Sequence, residues 1–438
     1  MSTAQGLLKK LLRGGIMALV IKVGAAGFQF LMFLVLARGM SGPDYGVFGF
    51  GFSLGTLLAV GGSFGQRMLV LRFLSVYLGA GKTQLATGVL RDGVSIVLGG
   101  TAVLSVVVAF VLPLLEERVG TGFLLWTALF AVAMALAEYF AFALRAHEAM
   151  TLALAPRDVI WRFLVILVTL PAAIGLLPAF SANGAMAMVT GLLLAVVMVQ
   201  TLSHASTRPA ALFRATAEYD RPTWRQASLG LWGTSFVQIA APNLTVVILG
   251  MILSPEETGP VFAALRIALL LNLFLLAANM VASPTISRFY HEGRFAALQR
   301  TCSAIALLAS GTAGVIFLVL IFFGDQMLEL FGADFGTAHD VLLIVAGAYV
   351  VNTLTGPTSV LLEMTGHERA AFKLLTRMNV VSMVVMVPMT WAFGAAGAAA
   401  CLALSIAGWN IQGVLYARRE IGLDPSVAGL FYKKGKAT

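Results

Sequence analysis

The chain has 438 residues, of which 59% are hydrophobic and only 11% charged, with a mean hydropathy of +0.92. Soluble domains carry about 25% charged residues, so a globular protein in water is excluded. The formal net charge of +9 would suggest nucleic acid in a soluble chain. In a chain this apolar the positive-inside bias explains it more simply, and no nucleic-acid partner is expected. Cys302 and Cys401 both fall in apolar runs and read as packing residues rather than a disulfide.

Apolar runs long enough to cross ~30 Å of hydrocarbon recur along the whole chain. Twelve spans are expected, at 14–37, 45–65, 88–113, 121–144, 156–177, 183–203, 228–252, 258–283, 300–323, 338–363, 370–393 and 396–417. The basic start, MSTAQGLLKKLLRGG, runs into an apolar stretch too long for a cleaved signal, so the first span reads as an uncleaved helix. The longest connection, about 204–227, divides the spans six and six. The expected organisation is therefore an N-terminal lobe at 1–205, a cytoplasmic linker at 206–227, a C-terminal lobe at 228–418 and a basic cytoplasmic tail at 419–438. The fold class is an all-α polytopic membrane protein, two six-helix lobes around a central cavity.

With a cytoplasmic N-terminus, most of the 29 Lys and Arg residues fall in cytoplasmic connections, whereas the far side receives Arg38, Arg118 and a set of acids. Both termini are thus expected in the cytoplasm. The halves also resemble each other. GAGKTQLA (79–86) matches HEGRFAAL (291–298), and RAHEAMTLALAPR (145–157) matches TGHERAAFKLLTR (365–377). A repeat of this kind, with both copies in one orientation, is the pattern of transporters that bind substrate between halves and rock around it.

The run LARGMSGPDYGVFGFGFSLGTLL (36–58) resembles the first-loop signature of polysaccharide (O-antigen-type) lipid-linked oligosaccharide flippases. The run ELFGADFGTAHDVLLIVAGAYVVNTLTGPTSVLLEMTGHERAAF (329–372) resembles a tenth-helix signature of the same family. That family lies in the multidrug/oligosaccharidyl-lipid/polysaccharide exporter superfamily. The resemblance implies movement of a polyprenyl-pyrophosphate-linked glycan from the inner to the outer leaflet of a bacterial cytoplasmic membrane, with membrane lipid and a polysaccharide-biosynthesis complex as partners.

Charge inside a span costs several kcal/mol and marks a cavity or a partner. Arg266 lies about eight residues, or roughly 12 Å, into the eighth span. Either it snorkels to the interface, or it is a cavity cation whose fork pairs with a diphosphate. Lys22 and Gln29 share one face of the first span, backed by Ala25 and Ala26, and read as a cavity wall or as a snorkelling lysine. Asn352, Thr355, Ser359 and Glu363 form a polar stripe on the tenth span, which Gly356-Pro357 must kink, and the stripe is suited to lining the substrate's sugar path. Glu363 fits either a coupling-ion site or the membrane surface. Gln238 and Thr245 flank Pro242-Asn243 in the seventh span and suit a bent cavity wall. Glu138 reads as a coupling-ion site or as an ion pair with Arg145, one heptad on. Asp158 and Arg162 read as a local pair. Asn272 and Asn279 are suited to bonding across to another helix.

The five histidines have no ligand spacing, so no metal is expected. No Walker A motif is present, and no cofactor is expected. A cation-coupled multidrug antiporter of the same superfamily is the alternative function, although the seventh span carries no acid. A membrane glycan polymerase or ligase is disfavoured because the outer loops are short and acidic; the chain is not expected to be an enzyme.

Overall fold

The computed structural model describes residues 24–111 and 120–432. Lys22 therefore lies outside the described residues, as do Arg118 and the tail lysines at 433, 434 and 436. The described chain is helical throughout, and its only strand-like feature is a bridge between Met40 and Phe180. Among the described residues, eight helices are long and apolar enough to cross a membrane by length and composition, and two shorter apolar helices accompany them.

In chain order the helices are α1 (Gly24–Arg38), α2 (Gly42–Gly62), α3 (Gln66–Gly79), α4 (Thr83–Val111), α5 (Thr121–Ala146), α6 (Met150–Ala155) and α7 (Arg162–Ala173), the last two joined by a π-turn at Pro156–Trp161. Then come α8 (Ala182–Ser203), α9 (Pro209–Arg214), α10 (Arg221–Ile252) and α11 (Pro255–Ala268), which passes through a 3-10 turn at Leu269–Asn272 into α12 (Leu273–His291). The chain continues as α13 (Phe295–Glu329), α14 (His339–Leu354), α15 (Thr358–Met364) and α16 (Glu368–Tyr416). Gly394, at φ 60°, divides α16 into the two expected spans. Helical structure thus covers the described part of all twelve expected spans. The exception to the sequence reading is α3, which occupies residues expected to form a loop. Its Leu69, Val70, Leu74 and Tyr77 recur at helical spacing and are buried.

Two compact units make up the chain, one ending at Met251 and one beginning at Ile252. The first unit is assembled by close helix approach. A Cβ on Gly51 would meet the Phe123 ring at 2.4 Å, and one on Gly55 would meet Phe130 at 2.6 Å. These glycines let α2 lie against α5, where Phe52 and Phe130 stack with centroids 5.0 Å apart. Helix α10 belongs to this unit. Its Trp224 donates to the Tyr77 hydroxyl at 2.9 Å and its Trp232 donates to the Gly61 carbonyl at 3.0 Å.

The 206–227 connection is folded against the first unit. Arg91 of α4 donates through Nε to the Leu212 carbonyl at 2.8 Å and through Nη2 to the Ala215 carbonyl at 2.7 Å. The Glu218 amide donates to the Gln84 carbonyl at 3.1 Å, and Arg221 pairs with Asp92 at 2.9 Å. The second unit repeats this arrangement at its own end. Asp424 is 1% exposed. It accepts from Arg418 at 2.7 Å and from the Ser426 hydroxyl at 2.6 Å, and its amide donates to Gln299 of α13 at 2.9 Å. Cys302 and Cys401 are free and buried.

Candidate functional site

In the second unit the site centres on Arg266. Residues 261–268 are all buried except Arg266, which is half-buried. The α-helix ends two residues later, so the guanidinium stands in its last turn. The guanidinium carbon lies 4.4 Å from the Phe262 ring centroid, within cation–π range. Tyr349 of α14, buried, lies within its electrostatic reach.

One 3-10 turn further on, the Asn272 side-chain carbonyl accepts from the Asn352 amide at 2.8 Å. This meets the expectation that Asn272 bonds across to another helix, and it gives Asn352 a partner on a neighbouring segment. The stripe Asn352–Thr355–Ser359–Glu363 is not one continuous face. Gly356, at φ +68°, and Pro357 end α14 and restart the chain as α15. Thr355 turns its hydroxyl to the Asn352 carbonyl at 2.7 Å. Ser359 is half-buried and Glu363 is exposed.

In the first unit the polar centre is a charge cluster. Glu138 of α5 accepts from Arg157 at 2.9 Å on one oxygen and from Arg67 of α3 on the other. Arg157 also reaches Asp158 at 2.8 Å. The expected pairing of Glu138 with Arg145 is not formed. A heptad separates the two by about 10.5 Å along the axis, while α3 and the π-turn bring Arg67 and Arg157 directly against the carboxylate. The local pair of Asp158 and Arg162 is present but long, at 3.9 Å. Arg162 instead donates to the Ala25 carbonyl of α1. Four residues along α1 from Ala25 is Gln29, half-buried.

The π-turn has a local cause. Pro156 carries no amide hydrogen, so the regular ladder is interrupted there and the turn widens. In α10, Pro242 similarly removes one donor. Asn243 returns its side-chain amide to the Ile239 carbonyl at 2.9 Å, and Thr245 its hydroxyl to the Ala241 carbonyl at 2.9 Å. The side chain of Gln238 lies outside the described residues. Of the expected site residues, the structure brings together Asn352 with its neighbour Asn272. It sets Arg266 six residues before Asn272, and it places Glu138 in the other unit. Sequence reasoning missed Arg67, because its segment was read as a loop, and Tyr349, because a lone tyrosine in an apolar run carries no spacing signal.

These features define a multi-pass helical membrane protein with ionised side chains held inside its spans. Residues 231–392 match the MatE family model. Among curated proteins no sequence matches. Solved structures with the same fold include an inward-facing multidrug resistance MATE family transporter of the MOP superfamily. It is 15% identical, with a TM-score of 0.72, over 92% of this chain and 98% of that one. A MATE in complex with MaL6 is 16% identical, with a TM-score of 0.65, over 93% and 96%. A MOP superfamily transporter from Pyrococcus furiosus, for which reverse polarity of the binding pocket suggests a different function, is 15% identical, with a TM-score of 0.60, over 94% and 95%. At these identities the likeness is one of fold, and the proteins that share that fold are transporters.

Proposed function

We propose that the chain is a membrane transporter carrying an amphipathic anion, in its most specific form a polyprenyl-pyrophosphate-linked oligosaccharide moved from the inner to the outer leaflet of a bacterial cytoplasmic membrane. The observation that carries this reading is Arg266. A guanidinium sits within a transmembrane helix, among buried residues and against Phe262. Arginine keeps its charge there, and its fork matches phosphate oxygens. The Lys and Arg bias supports cytoplasmic termini, and the sequence repeat supports two lobes at 1–205 and 228–418 joined by 206–227, although the first compact unit runs on through α10 to Met251. Membrane lipid and a polysaccharide-biosynthesis complex are the partners this reading implies.

A cation-coupled multidrug antiporter is the second reading, and the comparisons favour it more directly, because the solved transporters include multidrug MATE proteins. Against it, Glu138, the acid the sequence offered for coupling, is occupied on both oxygens by guanidinium groups. Sidedness of the lipid-linked glycan in cells lacking the protein, complemented with wild type or Arg266→Ala, separates the two. Build-up on the inner leaflet that wild type clears and Arg266→Ala does not supports the anion reading. Normal sidedness together with increased drug sensitivity in the same cells replaces it with the antiporter.

A further inference from the structure

Among the described residues, the charge cluster of the first unit does not balance. It holds four guanidiniums, Arg67, Arg145, Arg157 and Arg162, against two carboxylates, Glu138 and Asp158. The formal excess is two positive charges. Arg145 has Arg67 and Arg157, with Asp158 and Glu138, within its electrostatic reach. Among the described residues it forms no ion pair. Glu138, Phe142 and Arg145 share one face of α5 at steps of four and three. The guanidiniums of Arg145 and Arg67 both approach the Phe142 ring, at 4.4 and 5.8 Å from its centroid.

Several donors of the cluster are unused. The Nε groups of Arg67, Arg145 and Arg162 are buried and make no hydrogen bond. The side chains are mostly withdrawn from solvent, with Arg67, Arg157 and Arg162 at 15%, 17% and 13% exposure. Buried cations lacking counter-ions are costly, and arginine has no neutral form to retreat to. Unused donors and surplus charge in one place are what a dianion relieves. Guanidinium forks pair two-point with phosphate oxygens.

We infer that Arg67, Arg145, Arg157 and Arg162 form an anion-binding site that takes a phosphate or diphosphate group, with Arg145 as the cation left for the ligand. Glu138 and Asp158 hold Arg67 and Arg157 in place and set the surplus at two charges, which suits a doubly charged group rather than a chloride. The site lies wholly in the first unit.

The probe is inorganic pyrophosphate, added to the full chain in phosphatidylcholine nanodiscs and read as a saturable rise in apparent Tm against potassium chloride of equal ionic strength. Wild type is expected to respond. Arg145→Gln is expected to raise the half-saturating concentration about tenfold, the worth of one charged hydrogen bond, and Arg145→Lys to retain part of the response. Glu138→Gln, which removes a competing negative charge, is expected to lower the half-saturating concentration and so moves in the opposite direction. The occupant follows from the lipid. A wild-type response that disappears in phosphatidylglycerol discs identifies a lipid headgroup, and one that persists identifies a free or substrate phosphate. A wild type that responds to neither pyrophosphate nor phosphatidylglycerol overturns the site, as does an Arg145→Gln response equal to wild type.

Discussion

The Asn352 side chain donates to the Asn272 carbonyl oxygen at 2.8 Å, joining two helices close to where each loses its regular hydrogen bonding. Asn272 closes the 3-10 turn between α11 and α12. Asn352 stands one turn before the break at Gly356-Pro357. A single bond therefore pins two irregular segments of backbone to each other.

A double-mutant cycle on Asn272→Ala and Asn352→Ala is expected to give a coupling of about 0.5–1.5 kcal/mol, the range for polar bonds between membrane helices. Unfolding of the purified protein in detergent measures it. Strictly additive effects would show that the bond contributes nothing.

The ion-pair geometry ranks two substitutions. Glu138→Ala strands two guanidiniums, Arg67 and Arg157, whereas Arg67→Ala leaves Glu138 still held by Arg157. The first is expected to cost roughly 3–5 kcal/mol, as for one member of a buried pair removed, and the second clearly less. Thermal melts of the two variants test the order, and a larger loss for Arg67→Ala refutes it.

Close packing of α2 on α4 predicts opposite effects for two glycines. A Cβ on Gly62 would stand 2.4 Å from the Thr101 Cα, a backbone atom that cannot swing aside, while nothing lies within 4 Å of one on Gly99. Gly62→Ala should cost about 1–3 kcal/mol through overpacking. Gly99→Ala should raise stability by about 0.5–1 kcal/mol through helix propensity. Melting temperatures of the pair decide the matter.

His147 and His204, just past the ends of α5 and α8, face each other with ring centroids 4.8 Å apart and share Ser206 at 2.9 and 2.7 Å. Burial, and then the neighbouring His204, hold the His147 pKa below its ordinary value of 6.5. The unfolded chain therefore binds the proton more readily than the folded one. Stability from this contact is present above pH 6.5 and is lost as pH falls below it. His147→Gln should flatten that loss in a series of melts across the acidic range; an unchanged slope would remove His147 from the explanation.

Arg91 predicts a proteolytic phenotype. Its bonds to the Leu212 and Ala215 carbonyls are charge-assisted and worth about 1.5–3 kcal/mol each. Arg91→Ala should loosen the segment that carries the exposed Arg208, Arg214 and Arg221 and speed tryptic cleavage there at least severalfold, as seen on a gel time course.

The spans were legible because hydrocarbon demands long apolar runs, and the break in the tenth span because proline has no amide hydrogen to give. The helix α3 was hidden by Arg67 and Arg72, whose charges lowered the hydropathy of a segment that is nonetheless helical and half-buried. Partner choice was the least legible feature. Spacing along α5 selected Arg145 for Glu138, but the fold supplied Arg67 from 71 residues away and Arg157 from 19. The Asn272–Asn352 bond spans 80 residues. Sequence marked Asn272 as a residue seeking a partner on another helix, and only the packing of α14 against the broken α11–α12 segment revealed which one.

The folded-back connection bears on how the chain can be divided. The sixth span ends at Ser203, yet the first unit continues to collect its own contacts through Leu212, Glu218, Arg221 and Trp224. A fragment cut at the end of that helix would leave Arg91, Asp92 and Tyr77 facing water with nothing to hold, and the bare flank of α4 would invite association with other copies. A half-length fragment meant to stay soluble in detergent as a single species must therefore carry its connector with it.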